Sequence, residues 1–175
     1  MFFLLSLRLS LTLTTQKAPA MTYPTLNLPA FQPTTRINPD TQLEEILDPQ
    51  RHKYVRLTPE EWVRQHFVNY LITELGYPQG RLQNELPIRV GRMEKRCDTV
   101  VFDRNGRPAV IVEYKAPTVR LTQKVFDQIV RYNFALQVDF LMVSNGLQHY
   151  CCRLNRRLNR FEFLNQLPPW AMIEV

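Results

Sequence analysis

The sequence is poor in glycine, and this shortage excludes whole classes of function. Its 175 residues contain five glycines. They stand apart, at Gly76, Gly80, Gly91, Gly106 and Gly146. No two of them form the G-x-G of a dinucleotide-binding turn, and none precedes a Gly-Lys pair as in a Walker loop. Any chemistry within these residues therefore works without a nucleotide-driven motor.

Cysteine is also scarce. The three cysteines are Cys97, Cys151 and Cys152, so the count is odd, two are adjacent, and no C-x-x-C occurs. This pattern argues against a disulfide framework and against a structural zinc site. A reducing compartment, the cytoplasm, fits such cysteine usage best.

What is present is typical of one globular domain. Hydrophobic residues make up 45% of the chain and charged residues 22%, with 22 Lys and Arg against 16 Asp and Glu. This composition excludes a disordered chain, a collagen-like fibre and a coiled coil. The net charge of +6 favours a polyanionic partner.

The first twenty residues are apolar but do not resemble a membrane segment. The stretch is too short to span a bilayer, and Arg8 interrupts it. A signal peptide would carry basic residues at its start, and none is there. Because Met21 follows directly, we interpret residues 1–20 as a mis-annotated extension or a disordered arm, with Met21 as the true start. No membrane association is expected.

Two further regions follow this stretch. Residues 21–57 contain five prolines and predict an extended arm with at most one helical turn, at 42–47. Residues 58–175 form the predicted folded domain. It opens at Thr58-Pro59-Glu60-Glu61, where Thr58 serves as N-cap and Glu61 completes a capping box. This helix is expected to end at Gly76.

The remaining pattern alternates between strands and one long helix. The helix is predicted at 119–137. Strands are predicted at 85–90, 97–102, 108–115, 140–144, 148–154 and 161–164. Asn105-Gly106 lies between two β-rich runs and is a strong hairpin signal.

A two-residue turn at Asn105-Gly106 places Asp98 directly opposite Glu113. Lys115 then lies on the same face, two residues further along. Two carboxylates on opposed residues repel each other unless a proton or a cation lies between them. Carboxylate oxygens suit Mg²⁺ or Mn²⁺, and the Lys115 ammonium can reach over the same site. A three-residue loop would be expected to break this register.

A simpler interpretation is an exposed face on which Arg96 and Lys115 neutralise the two acids. The neighbours on that face argue for burial instead, since they are apolar: Val100, Phe102, Ala109 and Ile111.

Asp98, followed by Glu113-Tyr114-Lys115, resembles the D…(D/E)-x-K signature of the PD-(D/E)xK nuclease superfamily, with Cys97 in place of the usual proline. The surrounding residues indicate which family within this superfamily the chain resembles. Glu60 with Arg64, Gly76-Tyr77 and the Q-x-x-x-Y element at 128–132 are similar to the N-terminal nuclease domain of type I restriction enzyme R subunits. The chain looks like a small, stand-alone bacterial member of that family.

The resemblance implies an α/β fold with a restriction-endonuclease-like core, in which a central four- or five-stranded mixed sheet is flanked by helices. It also implies a role for each matching residue. Mg²⁺ or Mn²⁺ would be held by Asp98, Glu113 and the backbone carbonyl of Tyr114, with support from Glu60. Lys115 would assist the nucleophile. Gln128 would be part of the catalytic set, and it would border the site with Tyr132 and touch DNA.

Several of these residues have a structural alternative. Glu60 suits the first turn of a helix because of the helix dipole. Gln128 could be an ordinary surface residue and Tyr132 a core aromatic.

Two basic groups are candidates for contacts with nucleic-acid phosphates. The first precedes the acidic hairpin and consists of Arg89, Arg92, Lys95 and Arg96. The second follows a later strand and consists of Arg153, Arg156, Arg157 and Arg160.

The sequence leaves two classes of function open. The first is a metal-dependent DNA endonuclease that hydrolyses phosphodiester bonds, without the translocase motor of full R subunits. Its expected partners are DNA and the subunits of a restriction system, in the bacterial cytoplasm. The second is a non-catalytic nucleic-acid-binding or protein-interaction module that has kept the nuclease fold.

Overall fold

Nine strands form two sheets across residues 23–174, which are the residues that the computed structural model describes. The larger sheet has the order β4-β5-β6-β7-β8-β9, with β6 and β7 parallel and every other neighbouring pair antiparallel. Its strands are β4 (Leu82–Val90), β5 (Met93–Phe102), β6 (Pro108–Tyr114), β7 (Phe140–Ser144), β8 (His149–Asn155) and β9 (Arg160–Phe163). The mixed sheet that the resemblance implied is confirmed. It has six strands rather than four or five, because β9 turns back and pairs with β8.

Three α-helices and one 3-10 helix (Gln79–Arg81) accompany the sheets in this part of the chain. The α-helices are α1 (Pro59–Thr73), α2 (Gln123–Leu136) and α3 (Trp170–Ile173). Thr58 caps α1 as predicted, since its hydroxyl accepts the Glu61 N–H at 3.1 Å. After α1 the chain turns at Gly76 (φ +73°), and the Tyr77 N–H reaches back to the Leu71 carbonyl at 2.9 Å.

Helix α2 begins four residues later than the predicted start at 119. Thr122 has the extended conformation of an N-cap residue (φ −119°, ψ 170°), so the segment before it stays outside the helix. Within residues 23–174, no helix combines the length and the apolar character needed to cross a membrane.

The two long helices cover opposite faces of the main sheet. One apolar cluster joins α1 to the sheet, for example Phe67 and Leu71 with Val112. The other joins α2 to the opposite face, for example Ile129 with Ile111. Because both faces are covered, every residue of β7 is buried.

The prediction of an extended arm for residues 21–57 was wrong in part. Within it lies a three-stranded antiparallel sheet, formed by β1 (Thr35–Ile37), β2 (Glu44–Asp48) and β3 (Lys53–Arg56). Two of its prolines lie in the connections between strands, Pro39 after β1 and Pro49 after β2, where they leave the ladders intact. The interpretation of residues 1–20 concerns residues outside the described range.

Candidate active site at the end of the β5–β6 hairpin

The β5–β6 turn differs from the prediction, but the register does not. Asp103 and Arg107 close a three-residue loop, with the Asp103 N–H 2.8 Å from the Arg107 carbonyl. Phe102 then pairs with Pro108, whereas Val101 pairs with Val110, so Ala109 forms a bulge. The bulge compensates for the extra loop residue.

Beyond the bulge, the pairs are those that a two-residue turn predicted, including Thr99 with Val112. The pairing of β5 with β6 ends there, and Asp98 and Glu113 are the next residues.

The Asp98 carboxylate is held from two sides. Its Oδ2 accepts the Tyr114 backbone N–H at 2.8 Å, and its Oδ1 lies 3.3 Å from Nη2 of Arg64 on α1. Strand β6, through Tyr114, and helix α1, through Arg64, therefore hold the Asp98 carboxylate together.

Glu113 is buried and is held by its own strand end and by α2. Its Oε1 accepts hydrogen bonds from Lys115 Nζ and Gln128 Nε2, both at 2.6 Å. Gln128 Nε2 also lies 3.1 Å from the Tyr132 hydroxyl. The predicted residues Asp98, Glu113, Lys115, Gln128 and Tyr132 are thus gathered at one end of the sheet. Oε2 of Glu113 is buried and has no hydrogen-bond partner among the residues that the structure describes.

Burial and mutual repulsion make the carboxyl groups hard to ionise. Burial, followed by the charge of Asp98, raises the pKa of Glu113 to about 7. Burial also raises the pKa of Asp98, although Arg64 opposes the effect. The pKa of Glu60, on the first turn of α1, is raised by burial and then by Asp98. The carboxyl groups of the site therefore hold their protons more tightly than exposed acids do.

Lys115 is protonated at neutral pH. Burial by itself lowers the pKa of its amine, but the hydrogen bond to Glu113 and the surrounding carboxylates outweigh burial and raise the pKa. This side chain is therefore a cation and a hydrogen-bond donor in the site.

The site fits a hard divalent ion bound by few protein ligands. Across residues 23–174, no three His, Cys, Asp or Glu side chains come together as a metal-ligand group. Mg²⁺ is commonly held by one or two carboxylates, with waters and substrate phosphates completing its shell. Asp98 and Glu113 meet that requirement, and a cation would satisfy the unpartnered Oε2 of Glu113. The ligand roles of all four groups, Asp98, Glu113, Glu60 and the Tyr114 carbonyl, stay predictions.

Two residues of the site carried no assigned role in the sequence. Arg64 is buried, and its Nη1 lies 2.6 Å from Oε1 of Glu85 and 3.4 Å from Oε2 of Glu61. Glu85 lies on β4 between the β4–β5 pairs Asn84–Thr99 and Leu86–Cys97, and it has a left-handed backbone (φ +56°), which is strained for a glutamate. The i, i+3 spacing of Glu61 and Arg64 was a usable signal for a role of Arg64. No sequence pattern indicated a role for Glu85.

The first basic group lies on the β4–β5 hairpin, where Arg96 lies next to this site, and the second group lies elsewhere. Arg92 is exposed in the β4–β5 turn, and Arg96 is exposed on β5 with Nη1 3.8 Å from Oε2 of Glu85. The group at 153–160 occupies the end of β8 and the start of β9, at the opposite end of the sheet. Two of its members are already paired, Arg156 with Asp139 and Arg160 with Glu162. The second group is therefore not part of this site.

The fold and the gathered acids and lysine define a nuclease-like α/β domain. Residues 59–168 match the family model of the type I restriction enzyme R protein N terminus (HSDR_N). The chain belongs to this family, as the motif predicted. No curated protein is similar enough in sequence to count as a match.

Two solved structures are similar to the chain. The first is a fragment described as an HsdR subunit of a type I restriction enzyme from Vibrio vulnificus YJ016. Its identity is 18% and its TM-score 0.49, and the match covers 67% of this chain and 24% of that one. The present chain thus spans about a quarter of its length. The second, from Anabaena variabilis ATCC 29413, is described as a nuclease belonging to DUF820, with 15% identity, a TM-score of 0.44 and coverage of 78% and 87%.

Proposed function

We propose that this chain is a metal-dependent endonuclease domain that hydrolyses phosphodiester bonds in DNA, using Mg²⁺ or Mn²⁺. One observation carries the proposal. The buried carboxylate of Glu113 and the partly buried carboxylate of Asp98 repel each other beside a protonated lysine, and Oε2 of Glu113 has no hydrogen-bond partner among residues 23–174. Membership of the restriction R protein family supports DNA as substrate, and restriction subunits in the bacterial cytoplasm as the working context.

Each side chain has a distinct part in this chemistry. A divalent ion bound by Asp98 and Glu113 would supply positive charge for the scissile phosphate and for the attacking water. Lys115 donates to Glu113 at 2.6 Å and stays cationic, so it orients the nucleophile and stabilises negative charge on the phosphate. Gln128 holds the Glu113 carboxylate in place from α2.

The β4–β5 hairpin extends past the last β5–β6 pair and carries the first basic group. Arg92 and Arg96 are exposed there. Phosphate contacts from such residues fix the position of a duplex and carry no sequence information. We therefore assign these two arginines to the DNA backbone beside the site, with Tyr132 bordering the site from α2.

Cleavage of supercoiled plasmid and of single-stranded DNA in Mg²⁺ or Mn²⁺ tests the proposal. Asp98→Asn and Lys115→Met should each lower the cleavage rate by about 100-fold or more, because each removes a group that acts on the reacting phosphate. Glu94→Gln is the matched control, since Glu94 is an exposed acid on the same strand as Asp98. Equal rates for all four proteins would remove the site assignment.

One observation favours the non-catalytic module. Arg64, Lys115 and Gln128 already contact the two carboxylates, so protein groups alone neutralise part of their charge. Calorimetric titration with Mn²⁺ separates the two functions. A protein that binds DNA but shows no Mn²⁺ affinity is the module, whereas micromolar to millimolar binding that is lost in Asp98→Asn supports the nuclease.

A further inference from the structure

We propose that Asp48 and Arg51, in the N-terminal three-stranded sheet, are positioning residues for Asp98. Both lie outside residues 59–168, the part of the chain that matches the family. Two routes of polar contacts run from Asp48 and end at the Asp98 carboxylate, one through ion pairs and hydrogen bonds and the other through hydrogen bonds. The catalytic consequence rests on the proposed function, but the structural claim does not.

Asp48 is a fully buried anchor at the end of β2. Its Oδ1 accepts the backbone N–H groups of Gln50 and Arg51 at 2.9 and 3.1 Å. Its Oδ2 accepts Arg51 Nε at 2.5 Å and Asn84 Nδ2 at 3.0 Å. Burial raises the pKa of Asp48, but these hydrogen bonds and the charge of Arg51 outweigh burial and lower it. A buried, ionised group with four donors is rigidly held.

The first route passes through charged side chains. The Arg51 Nη2 atom lies 3.4 Å from both carboxylate oxygens of Glu61. Glu61 is also held by Gln65 Nε2 at 2.7 Å, and its Oε2 lies 3.4 Å from Nη1 of Arg64. The other end of the Arg64 guanidinium reaches Oδ1 of Asp98 at 3.3 Å.

The second route passes through neutral groups. Asn84, on β4, donates to Asp48 and accepts the Thr99 hydroxyl at 2.7 Å. Thr99 Oγ1 in turn accepts the Tyr114 hydroxyl at 3.1 Å. Tyr114 then donates its backbone N–H to Oδ2 of Asp98. Each Asp98 oxygen is therefore oriented by a separate route from the same anchor.

The first route is sensitive because Arg64 is shared among three carboxylates, those of Glu61, Glu85 and Asp98. Arg51 supplies Glu61 with a second cation. Without Arg51, Glu61 competes more strongly for Arg64 and draws it away from Asp98. Asp98 then loses its contact with Arg64, and its hydrogen bond with the Tyr114 backbone N–H weakens.

The experiment follows the Tyr114 amide by NMR in the metal-free protein. In Arg51→Met its proton should move upfield, and its exchange with solvent should accelerate by about tenfold as the bond to Asp98 weakens. Arg51→Lys keeps the positive charge, so both changes in the Tyr114 amide should be smaller than in Arg51→Met. Two controls alter the same strand β2. Glu45→Gln removes an exposed ion pair with Arg36, and Ile46→Val loosens apolar packing. Neither should move the Tyr114 signal.

Arg51→Met leaves Asp48 buried without its cation, so the double variant Asp48→Asn/Arg51→Met provides a second test in which no lone charge is buried. It should show the same Tyr114 changes. An unmoved Tyr114 amide in a folded variant, or an equal shift in Ile46→Val, overturns the proposal. If the wild type binds Mn²⁺, its affinity should fall about tenfold in the double variant. If it binds none, the proposed function fails while the NMR result still decides the positioning role.

Discussion

The Glu113 carboxyl group combines burial, a nearby like charge and an unpartnered oxygen. Its pKa is raised to about 7, first by burial and then by Asp98. The folded state therefore binds the Glu113 proton more tightly than the unfolded state does. Ionised Glu113 weakens folding above pH 7, and the penalty disappears as the pH falls toward the ordinary glutamate value.

Glu113→Gln should remove this penalty. The amide oxygen can still accept from Lys115 and Gln128, while the repulsion with Asp98 is gone. We expect the variant to be more stable than the wild type by about 1–2 kcal/mol at pH 8, with the difference shrinking toward zero at about pH 5. Urea unfolding at both pH values measures it. Glu94→Gln, at an exposed position, should change stability equally at the two pH values; a pH-independent gain in Glu113→Gln would contradict the assignment.

At the scale of single residues, the sequence could predict the acids but not the buried Arg64 that holds Asp98. Asp98, Glu113 and Lys115 are recognisable because a motif and a strand period place them together. Arg64 and Glu85 are different, since their roles depend on contacts between α1, β4 and β5, which are distant in sequence. Buried ion pairs of this kind leave no local periodicity.

At the scale of elements, the β5–β6 hairpin shows how a wrong turn can still lead to the right register. The sequence predicted a two-residue turn, and the structure has a three-residue loop followed by a bulge at Ala109. The two departures compensate each other. Bulges lack a reliable sequence signature, so this combination could not be foreseen.

The loop depends on Gly106, which has a left-handed backbone (φ +76°) and no atom within 4 Å of the point that a Cβ would occupy. Gly106→Ala should therefore destabilise the protein through backbone strain alone, by about 1 kcal/mol. Gly80→Ala is the matched control, because Gly80 is equally open but has no left-handed φ. Thermal or urea unfolding should separate the two variants; equal stability would show that the loop tolerates alanine.

Helix α1 was the element best predicted from sequence, because its start and its end have local causes. Thr58 and Pro59 define the start, and Gly76 allows the turn that follows it. The sheet at β1–β3 was missed for the opposite reason. The buried face of β2 includes Ile46 but also Asp48. Because Asp48 is charged, it breaks the apolar alternation that would indicate a strand.

At the scale of the whole molecule, charge is unevenly distributed between the two ends of the main sheet. The acidic site and the first basic group share one end, and the second basic group lies at the other. If DNA binds across the site, only the first group should contribute to the salt dependence of binding.

Arg92→Ala/Arg96→Ala should reduce the slope of log affinity against log salt by about 2, since each phosphate contact contributes roughly 0.9. Arg153→Ala/Arg157→Ala removes the same charge from the far end and should leave the slope unchanged. Fluorescence anisotropy with a labelled duplex, in Ca²⁺ to prevent cleavage, measures both. Equal slopes for the two double variants would place the DNA elsewhere.

The bulge at Ala109 has one further consequence for how the hairpin tolerates change in length. Side chains on a strand alternate between faces, so a shift of one residue in the β5–β6 register would turn one of the two acids, Asp98 or Glu113, to the other face of the sheet. A single extra residue that enters the strand pairing produces such a shift. A second change of one residue, between the tip and the acids, restores the register.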